Sequence, residues 1–381
     1  MSISTPKISR RTAIGLLAAA SFNQPSFAIG LANKPFIFIL LRGGMDGLSA
    51  LIPQDKEMMS LRRKLIPEQS ELLHLQNGFA LHPSFKSLHE FYKDGDACFI
   101  HACSTAYRAR SHFDAQDFLE ILGNGQVHDG WLNRTLKALG GNGLALARSI
   151  PLALHGDIKV ANWSPPLFDE VPPELLDRIS MLYSNDLELS LSLQSAKENK
   201  IESGPVDRRA NRRFNIEYPI ALEAMGRIMG AENGPSIGMV ALNGWDTHIN
   251  QFGELNRKFQ RLDDGLLALK QQLGQKWKQS CIVVCSEFGR TVAINGTRGT
   301  DHGTGGLVML LGGAVAGSQM KGDWPGLKKQ ALYKGRDLAP VNDVTSVLKG
   351  VLRDHLGADK NTLDRIIFPN SSKPIDGLIQ S

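Results

Sequence analysis

Phe36-Ile37-Phe38-Ile39-Leu40-Leu41, followed at once by Arg42-Gly43-Gly44-Met45-Asp46-Gly47, is the segment from which the architecture can be inferred. A continuous apolar run of this length suits a strand covered on both faces, as in a parallel sheet, and the glycines after it suit a tight turn. Five more short apolar runs follow and are interpreted as strands. They lie at 97–102, 150–154, 237–242, 281–285 and 307–311.

Helical periodicity fills the gaps between these runs. The predicted helices are 85–93, 115–122, 132–139, 173–193, 213–229, 252–273 and 344–355. Alternation of strands and helices predicts an α/β fold with a doubly wound, mostly parallel sheet flanked by helices. Residues 160–232 are richer in Pro and acids, and we interpret them as a helical insertion or cap within one domain spanning 29–381. Long crossover helices are the alternative.

The first 28 residues are typical of an export signal. A basic stretch containing Arg10 and Arg11 precedes the apolar run 13–22, and Ser26 and Ala28 offer small residues for cleavage. The adjacent arginines indicate the twin-arginine export machinery as a partner. A general secretory signal or an uncleaved anchor is the alternative. We therefore expect a periplasmic or secreted protein, and no other stretch is long and apolar enough for a transmembrane span.

Composition narrows the classes of partner. The chain has 381 residues, 42% of them hydrophobic and 21% charged, which is typical of a globular protein. Lys7, Arg10 and Arg11 supply three of the five net positive charges, so the remainder carries only about +2. This balance argues against a nucleic-acid partner. Four cysteines without C-x-x-C spacing are predicted to be small buried hydrophobes: Cys98, Cys103, Cys281 and Cys285.

Polar side chains gather at the ends of the predicted strands. Arg42 to Gly47 follow the first strand, Cys103 to Asp114 follow the second, and Asn243 to His248 follow the fourth. Ser286 to Arg290 follow the fifth strand, and Thr300 to Thr304 precede the last. Ligands of such sheets bind beyond the carboxyl ends of the strands. Carboxylate and imidazole donors together suit Zn²⁺, Mn²⁺ or Mg²⁺.

Each of these elements also has an ordinary structural interpretation. Asp46 suits a turn, and Asp246 or Thr247 could cap a helix. Glu287 could pair with Arg290, and Ser111 could cap a helix beginning near Phe113. The remaining histidines stand in polar or helical stretches or on a strand, where packing or surface roles are expected. They are His74, His82, His89, His101, His128, His155 and His355.

The motifs in this order resemble the bacterial "domain of unknown function 1501" family. The resemblance is carried by the exported start, by Leu41 to Gly47, by Arg110-Ser111-His112-Phe113-Asp114-Ala115-Gln116-Asp117 and by Gly244-Trp245-Asp246-Thr247-His248. Ser286-Glu287-Phe288-Gly289-Arg290 and then Asp301-His302-Gly303 complete the pattern. That family is grouped with the alkaline-phosphatase and sulfatase superfamily, so the resemblance implies an alkaline-phosphatase-like fold.

The resemblance also implies roles for individual residues. Asp46 stands where an acidic metal ligand follows the first strand. Asp246, His248 and the later Asp301-His302 resemble one metal site. Glu287-Phe288-Gly289 replaces the usual Asp-His-Gly, which favours one ion over two. The nucleophile is expected near Ser104 and Thr105, with Ser111 as a rival.

The expected function is that of an exported hydrolase acting on a small anionic phosphate or sulfate ester, with a divalent metal (Zn, Mn, Mg or Ca). Three arginines could clamp the anion in bidentate fashion: Arg42, Arg108 and Arg290. The alternative is a non-catalytic exported binding or assembly protein that retains a degraded hydrolase fold and binds an unknown exported partner. A phosphoryl mutase is a third option.

Overall fold

The computed structural model describes residues 34–123, 127–164, 173–184, 186, 189–190, 218–369 and 371–380. Within these ranges the strands fall into a large nine-stranded sheet and a small three-stranded antiparallel one. In chain order the strands are β1 (Phe36–Arg42), β2 (Leu51–Pro53), β3 (Leu73–His74), β4 (Phe79–Leu81), β5 (Ala97–Ser104), β6 (Gly143–Leu146), β7 (Ala161–Trp163), β8 (Ile237–Asn243), β9 (Cys281–Cys285), β10 (Gly306–Leu311), β11 (Gln319–Lys321) and β12 (Asn342–Asp343).

Helices connect most of these strands and cover both faces of the large sheet. The α-helices are α1 (Gly47–Ala50), α2 (Lys56–Arg62), α3 (Lys86–Lys93), α4 (His112–Ile121), α5 (Trp131–Leu139), α6 (Pro173–Tyr183), α7 (Tyr218–Gly230), α8 (Gln251–Leu273) and α9 (Val344–Leu356). The alternation confirms the predicted α/β class. The chain's four cysteines are free and buried, as expected.

The central strand β1 shows why a continuous apolar run was needed. Its side chains alternate between the two faces of the sheet, as the period of two in a strand requires. Ile37, Ile39 and Leu41 pack in the core that contains residues of α3, α7 and α8. The intervening side chains, such as Phe38, pack in the core that contains residues of α5 and α9. Burial of each such side chain contributes about 1.5–3 kcal/mol to folding.

Strand direction decides which loops share an edge. The order of strands in the large sheet is β11-β5-β10-β9-β1-β8-β6-β7, and β12 also pairs with β5. The described pairs are parallel except those that β10 makes with β5 and β9. The mostly parallel sheet is therefore confirmed. Because β10 runs the other way, the loop that precedes it lies at the carboxyl edge of its neighbours.

One predicted strand was wrong. Residues 150–154 do not pair with the sheet; Leu152–Leu154 form a 3₁₀ helix with Pro151 at its N-cap. Proline has no N–H to give to a ladder, and the Ala153 N–H donates instead to the Glu120 carboxylate at 3.1 Å. The strand in this region is Gly143–Leu146, which pairs in parallel with β8.

Two predictions concern regions that the structure describes only in part or not at all. The signal segment 1–28 lies outside the described residues, as does much of the insertion around 160–232. Of the latter, β7, α6 and α7 are described. Among the described helices, none combines the length and apolarity that a membrane crossing requires.

Candidate metal centre

Five adjacent strands bring polar loops to one edge of the sheet. They are β5, β10, β9, β1 and β8, in that spatial order. Asp246 and His248 follow β8, Glu287 and Arg290 follow β9, and His302 precedes β10. The loop after β5 leads into α4, whose first residue is His112. Residues separated by up to 190 positions in the chain therefore meet at the carboxyl edge.

The side chains of His112, Asp246 and His302 form a compact group of metal-ligand type. His112 Nε2 lies 2.9 Å from His302 Nε2 and 3.3 Å from Asp246 Oδ1. His302 Nε2 lies 3.2 Å from the same Asp246 oxygen. We call these three residues, together with His248, the His–Asp cluster.

His248, two residues after Asp246 in the same loop, contacts both Asp246 and His302. Its Nε2 lies 2.9 Å from Asp246 Oδ1 and 3.1 Å from His302 Nε2. The four side chains are between 19% and 42% exposed, so a solute can reach them from solvent. His248 therefore adjoins the group formed by His112, Asp246 and His302, whose ligand atoms all lie within 4.8 Å of one another.

Each imidazole is oriented by an oxygen atom behind it. His302 Nδ1 donates to the Arg110 carbonyl at 2.9 Å, because a carbonyl can only accept. His112 Nδ1 lies 2.6 Å from Glu287 Oε1, and His248 Nδ1 lies 3.3 Å from Asp301 Oδ1. When Nδ1 carries the proton, the lone pair of a neutral imidazole is on Nε2. In their neutral forms all three rings therefore direct a lone pair toward Asp246.

This donor set fits a metal ion. Two facing Nε2 lone pairs repel each other unless a proton or a cation lies between them. Ligand atoms bound to one Zn²⁺ ion at about 2.0–2.1 Å, at angles from a right angle to the tetrahedral angle, are about 2.8–3.4 Å apart. The contacts in the cluster span 2.9–3.3 Å. An oxygen acceptor behind each ligating histidine is also the arrangement usual at metal sites.

The charges around the cluster keep its acids ionised. Burial would raise the pKa of Asp246, but the hydrogen bond and charge of Arg290 outweigh it and lower the pKa. Burial likewise opposes ionisation of Glu287, and hydrogen bonds from His112 and Gln116 lower its pKa. Burial would lower the pKa of His112, but Glu287 and Asp246 raise it. The acids therefore offer negative charge to a bound cation.

Glycines let two loops approach closely. Gly43 has φ of 121°, and a Cβ there would lie 2.5 Å from the Asp246 backbone nitrogen. Its N–H donates to Glu287 Oε1 at 2.9 Å. Gly44, with φ of 64°, leaves room for the ring of Phe288, which stacks on the His112 imidazole. The glycine pair after β1 thus supports the Glu287 carboxylate and the Phe288 ring, both of which contact the His112 imidazole.

Asp46, predicted as a metal ligand, lies in a buried network of its own. Both of its oxygens accept from Arg62 Nη1 at 2.8 Å, and it caps α1 by accepting from the Ser49 N–H. Arg62 is fully buried and lowers the pKa of Asp46 against the effect of burial. Asp46 also accepts from the Gln251 amide. The structure therefore gives Asp46 an ion-pair partner and does not bring it into the His–Asp cluster.

The three predicted anion-binding arginines each have partners within the protein. Arg290 donates to Asp246 Oδ1 at 2.6 Å and to Thr300, and its side chain is fully buried. Arg42 pairs with the Glu120 carboxylate. Arg108 donates to the Ser104 hydroxyl and to two backbone carbonyls. Arg290 alone contacts the cluster directly, and it does so as a partner of Asp246.

The hydroxyl candidates differ in their surroundings. Ser104 and Thr105 are buried, and each accepts a hydrogen bond from its own loop. Ser111 is half-buried and caps α4 by accepting from the Asp114 N–H. In the sequence it stands between Arg110, whose carbonyl accepts from His302, and His112, which belongs to the cluster.

Residues 184–366 match the family model described as Protein of unknown function (DUF1501). The match supports the family resemblance over that part of the chain, which includes Asp246, His248, Glu287 and His302. His112 lies outside the matched residues. A search of curated proteins found no match.

Three solved structures are similar at low scores. The C-terminal periplasmic domain of EcEptC from Escherichia coli, in complex with Zn, has a TM-score of 0.38 and 8% identity over 73% of this chain and 72% of that one. The lipoteichoic acid synthase LtaP from Listeria monocytogenes has a TM-score of 0.36 and 8% identity, covering 94% and 79%. Phosphonoacetate hydrolase from Sinorhizobium meliloti, in complex with phosphonoformate, has a TM-score of 0.31 and 12% identity, covering 68% and 57%.

His112 is the cluster residue that the sequence interpretation missed. Ser111 is predicted to cap a helix, and that helix, α4, does begin at His112. A usable signal was the place of His112 in the polar stretch after the second strand, at the edge where the other candidates were expected. Glu287 and Asp301, predicted as ligands, instead accept from His112 and His248 respectively, behind the imidazoles.

Proposed function

We propose that this chain is an exported, metal-dependent hydrolase of a phosphate or sulfate ester. The observation that carries the proposal is the His–Asp cluster, in which the Nε2 atoms and the Asp246 oxygen make contacts of 2.9–3.3 Å and are open to solvent. Asp246, His248, His302 and His112 would hold the ion. A divalent cation in that position supplies polarisation of a phosphoryl or sulfuryl oxygen.

The protein's own groups have defined tasks in this scheme. Arg290 fixes Asp246, because its guanidinium is anchored on Thr300 and donates to Asp246 Oδ1. Glu287 and Asp301 orient two of the imidazoles. Because Asp46 is paired with Arg62, the His–Asp cluster is the one group of ligands that remains among the predicted residues. This favours a single ion. Of the four ions considered, Zn²⁺ suits the nitrogen-rich donors best, because Mn²⁺, Mg²⁺ and Ca²⁺ prefer oxygen ligands.

Ser111 is the nucleophile that this arrangement favours. Its hydroxyl oxygen would bond to phosphorus or sulfur as the bond to the ester's leaving oxygen breaks and the leaving group takes up a proton. Water would then cleave the serine ester, releasing phosphate or sulfate and restoring the hydroxyl. Splitting the displacement in this way makes each step easier. Ser104 and Thr105 are the remaining candidates.

The test combines metal content with turnover. Purified protein is analysed for bound Zn, Mn, Mg and Ca and assayed on aryl phosphate and aryl sulfate, beside Asp246→Ala and the control Asp264→Ala. Asp264 is an exposed acid on α8 that accepts a hydrogen bond from the Gln260 side chain. Stoichiometric metal and turnover that are lost in Asp246→Ala and kept in Asp264→Ala are expected. A folded wild-type protein without either would overturn the proposal.

One observation favours a second function. The predicted acids Asp46 and Glu287 are both committed to protein partners, so the paired-metal arrangement implied by the superfamily is reduced to a single cluster. A non-catalytic exported binding or assembly protein would need no more than this fold. Bound metal without turnover on either ester would favour that alternative.

A further inference from the structure

Two arginines contact His302, one at its imidazole and the other at its backbone carbonyl. The Arg110 carbonyl accepts from His302 Nδ1 at 2.9 Å, which sets the proton on that nitrogen. The Arg336 guanidinium donates through Nη2 to the His302 carbonyl. The imidazole and the backbone of one cluster residue are therefore both fixed, by residues from loops more than 200 positions apart.

Asp337 joins these two arginines. Its Oδ2 accepts from Arg110 Nη2 at 2.6 Å, and its Oδ1 accepts from Arg336 Nε at 2.7 Å. The Asp337 side chain is fully buried. Its backbone is also anchored, since Tyr333 N–H donates to the Asp337 carbonyl at 2.8 Å and Asp337 pairs with Thr291. A buried carboxylate is costly unless its charge is paired, and here both oxygens are paired.

The backbone of Arg110 is strained in a way that serves the same contact. Its φ is 63°, a left-handed conformation that costs a residue with a Cβ about 1–2 kcal/mol. That conformation directs the Arg110 carbonyl to His302. Because the Arg110 side chain is tied to Asp337, the ion pair helps to hold the strained segment in place.

We propose that Asp337 is a positioning residue for His302, acting through Arg110 and Arg336 to fix the ring orientation and the Nδ1–H tautomer of this ligand. The inference rests on the metal centre of the proposed function. It assigns a role to a buried acid whose side chain pairs with Arg110 and Arg336 and not with the cluster itself.

Asp337→Asn tests the proposal, because asparagine is isosteric but carries no charge to pair with the arginines. Affinities for Zn²⁺ and Co²⁺ are measured by calorimetry, with the visible spectrum of the Co²⁺ form. Loss of an outer-shell partner is expected to weaken metal binding about 10- to 100-fold. In the metal-free protein, the ¹⁵N shifts of His302 are expected to report Nδ1–H in the wild type and a mixture of tautomers in the variant.

Asp263→Asn is the matched control. Asp263 is also a buried acid, but it accepts from the N–H groups of Ser87 and Leu88, away from the cluster. It should lower the melting temperature without changing metal affinity. If Asp337→Asn does not fold, Arg336→Gln, at a side chain that is 46% exposed, takes its place with the same expected direction.

The outcomes separate this inference from the proposed function. Wild-type affinity, spectrum and tautomer in a folded Asp337 variant overturn the positioning role while leaving the metal centre intact. A wild-type protein that binds neither ion overturns both.

Discussion

The positions of the imidazole protons decide what the His–Asp cluster can bind. Each histidine has an oxygen acceptor at Nδ1, so each presents Nε2 to the shared Asp246 oxygen. This arrangement depends on three acceptors, one between β5 and α4 and two between β9 and β10, rather than on the histidines alone. The effect of a single substitution on metal affinity should therefore depend on whether it removes a side chain of the cluster or an oxygen acceptor behind one of its imidazoles.

His112→Ala removes a ligand of the proposed centre. Because outer-shell losses already cost about 10- to 100-fold, loss of a ligand should weaken Zn²⁺ binding by at least about 100-fold. Equilibrium dialysis or calorimetry measures the change. The control is His74→Ala, an exposed histidine on β3 in the small sheet. Equal Zn²⁺ affinity in the two variants would remove His112 from the centre.

Asp46 and His112 show what could and could not be predicted from the sequence at this scale. Both stand at strand ends, and that much was readable from the apolar runs. The partner of Asp46 is Arg62, at the end of a helix after an intervening strand, and no local pattern identified that pairing. The partner of His112 is Glu287, 175 positions away. The choice between ligand and structural acid depends on these tertiary contacts.

The loop after β1 packs closely against the loop that contains Asp246. Gly43→Ala would place a Cβ 2.5 Å from the Asp246 nitrogen in addition to straining a left-handed residue. Gly78→Ala is the matched control, because Gly78 also has positive φ (75°) but nothing within 4 Å of its Cβ position. The control should lose about 1 kcal/mol or somewhat more. Gly43→Ala should lose more stability in urea unfolding, and should lose metal affinity as well.

A Gly43 variant with the stability and Zn²⁺ affinity of the Gly78 variant would contradict this account. It would mean that the Asp246 loop moves freely enough to accommodate the methyl group.

The N-terminus of α4 allows the capping and catalytic roles of Ser111 to be separated. Ser111→Ala removes the cap and should cost about 1 kcal/mol in unfolding free energy, whereas Ser111→Asn restores a good cap without a nucleophilic hydroxyl. If Ser111 attacks the ester, both variants lose turnover, but only the alanine variant loses stability. Urea unfolding and aryl-ester hydrolysis are measured on both. Turnover retained in Ser111→Asn would shift the nucleophile to Ser104 or Thr105.

In the large sheet, as far as the structure describes the chain, eight strands share a direction and β10 opposes it. The site exists because of this arrangement. The shared direction was predicted from continuous apolar runs, and it explains why strand-end residues converge. The reversal of β10 was not predicted, since a run such as 307–311 reads the same in either direction. That reversal is what brings His302 to the carboxyl edge, although the loop stands before its strand.

The sheet and its flanking helices also bury three histidines away from the cluster, and these should make the fold sensitive to acid. Burial lowers the pKa values of His82, His101 and His355 from 6.5 to about 4. The unfolded chain therefore takes up protons first as the pH falls. The contribution of these histidines to the free energy of unfolding is fully present above about pH 6.5. It is lost toward pH 4, by up to about 1.4 kcal/mol per pH unit for each histidine.

His355→Gln isolates one of these contributions. His355 Nε2 donates to the Pro35 carbonyl at 3.1 Å, and a glutamine amide can donate to the same oxygen without titrating. Urea unfolding is measured from pH 7.5 to pH 4.5 in EDTA, so that bound metal does not contribute. Over this range the wild type should lose on the order of 2 kcal/mol more than the variant. Parallel pH profiles for the two proteins would mean that the pKa of His355 is the same in the folded and the unfolded chain, so that its burial carries no penalty for the charge. That result would remove this histidine from the acid sensitivity of the fold.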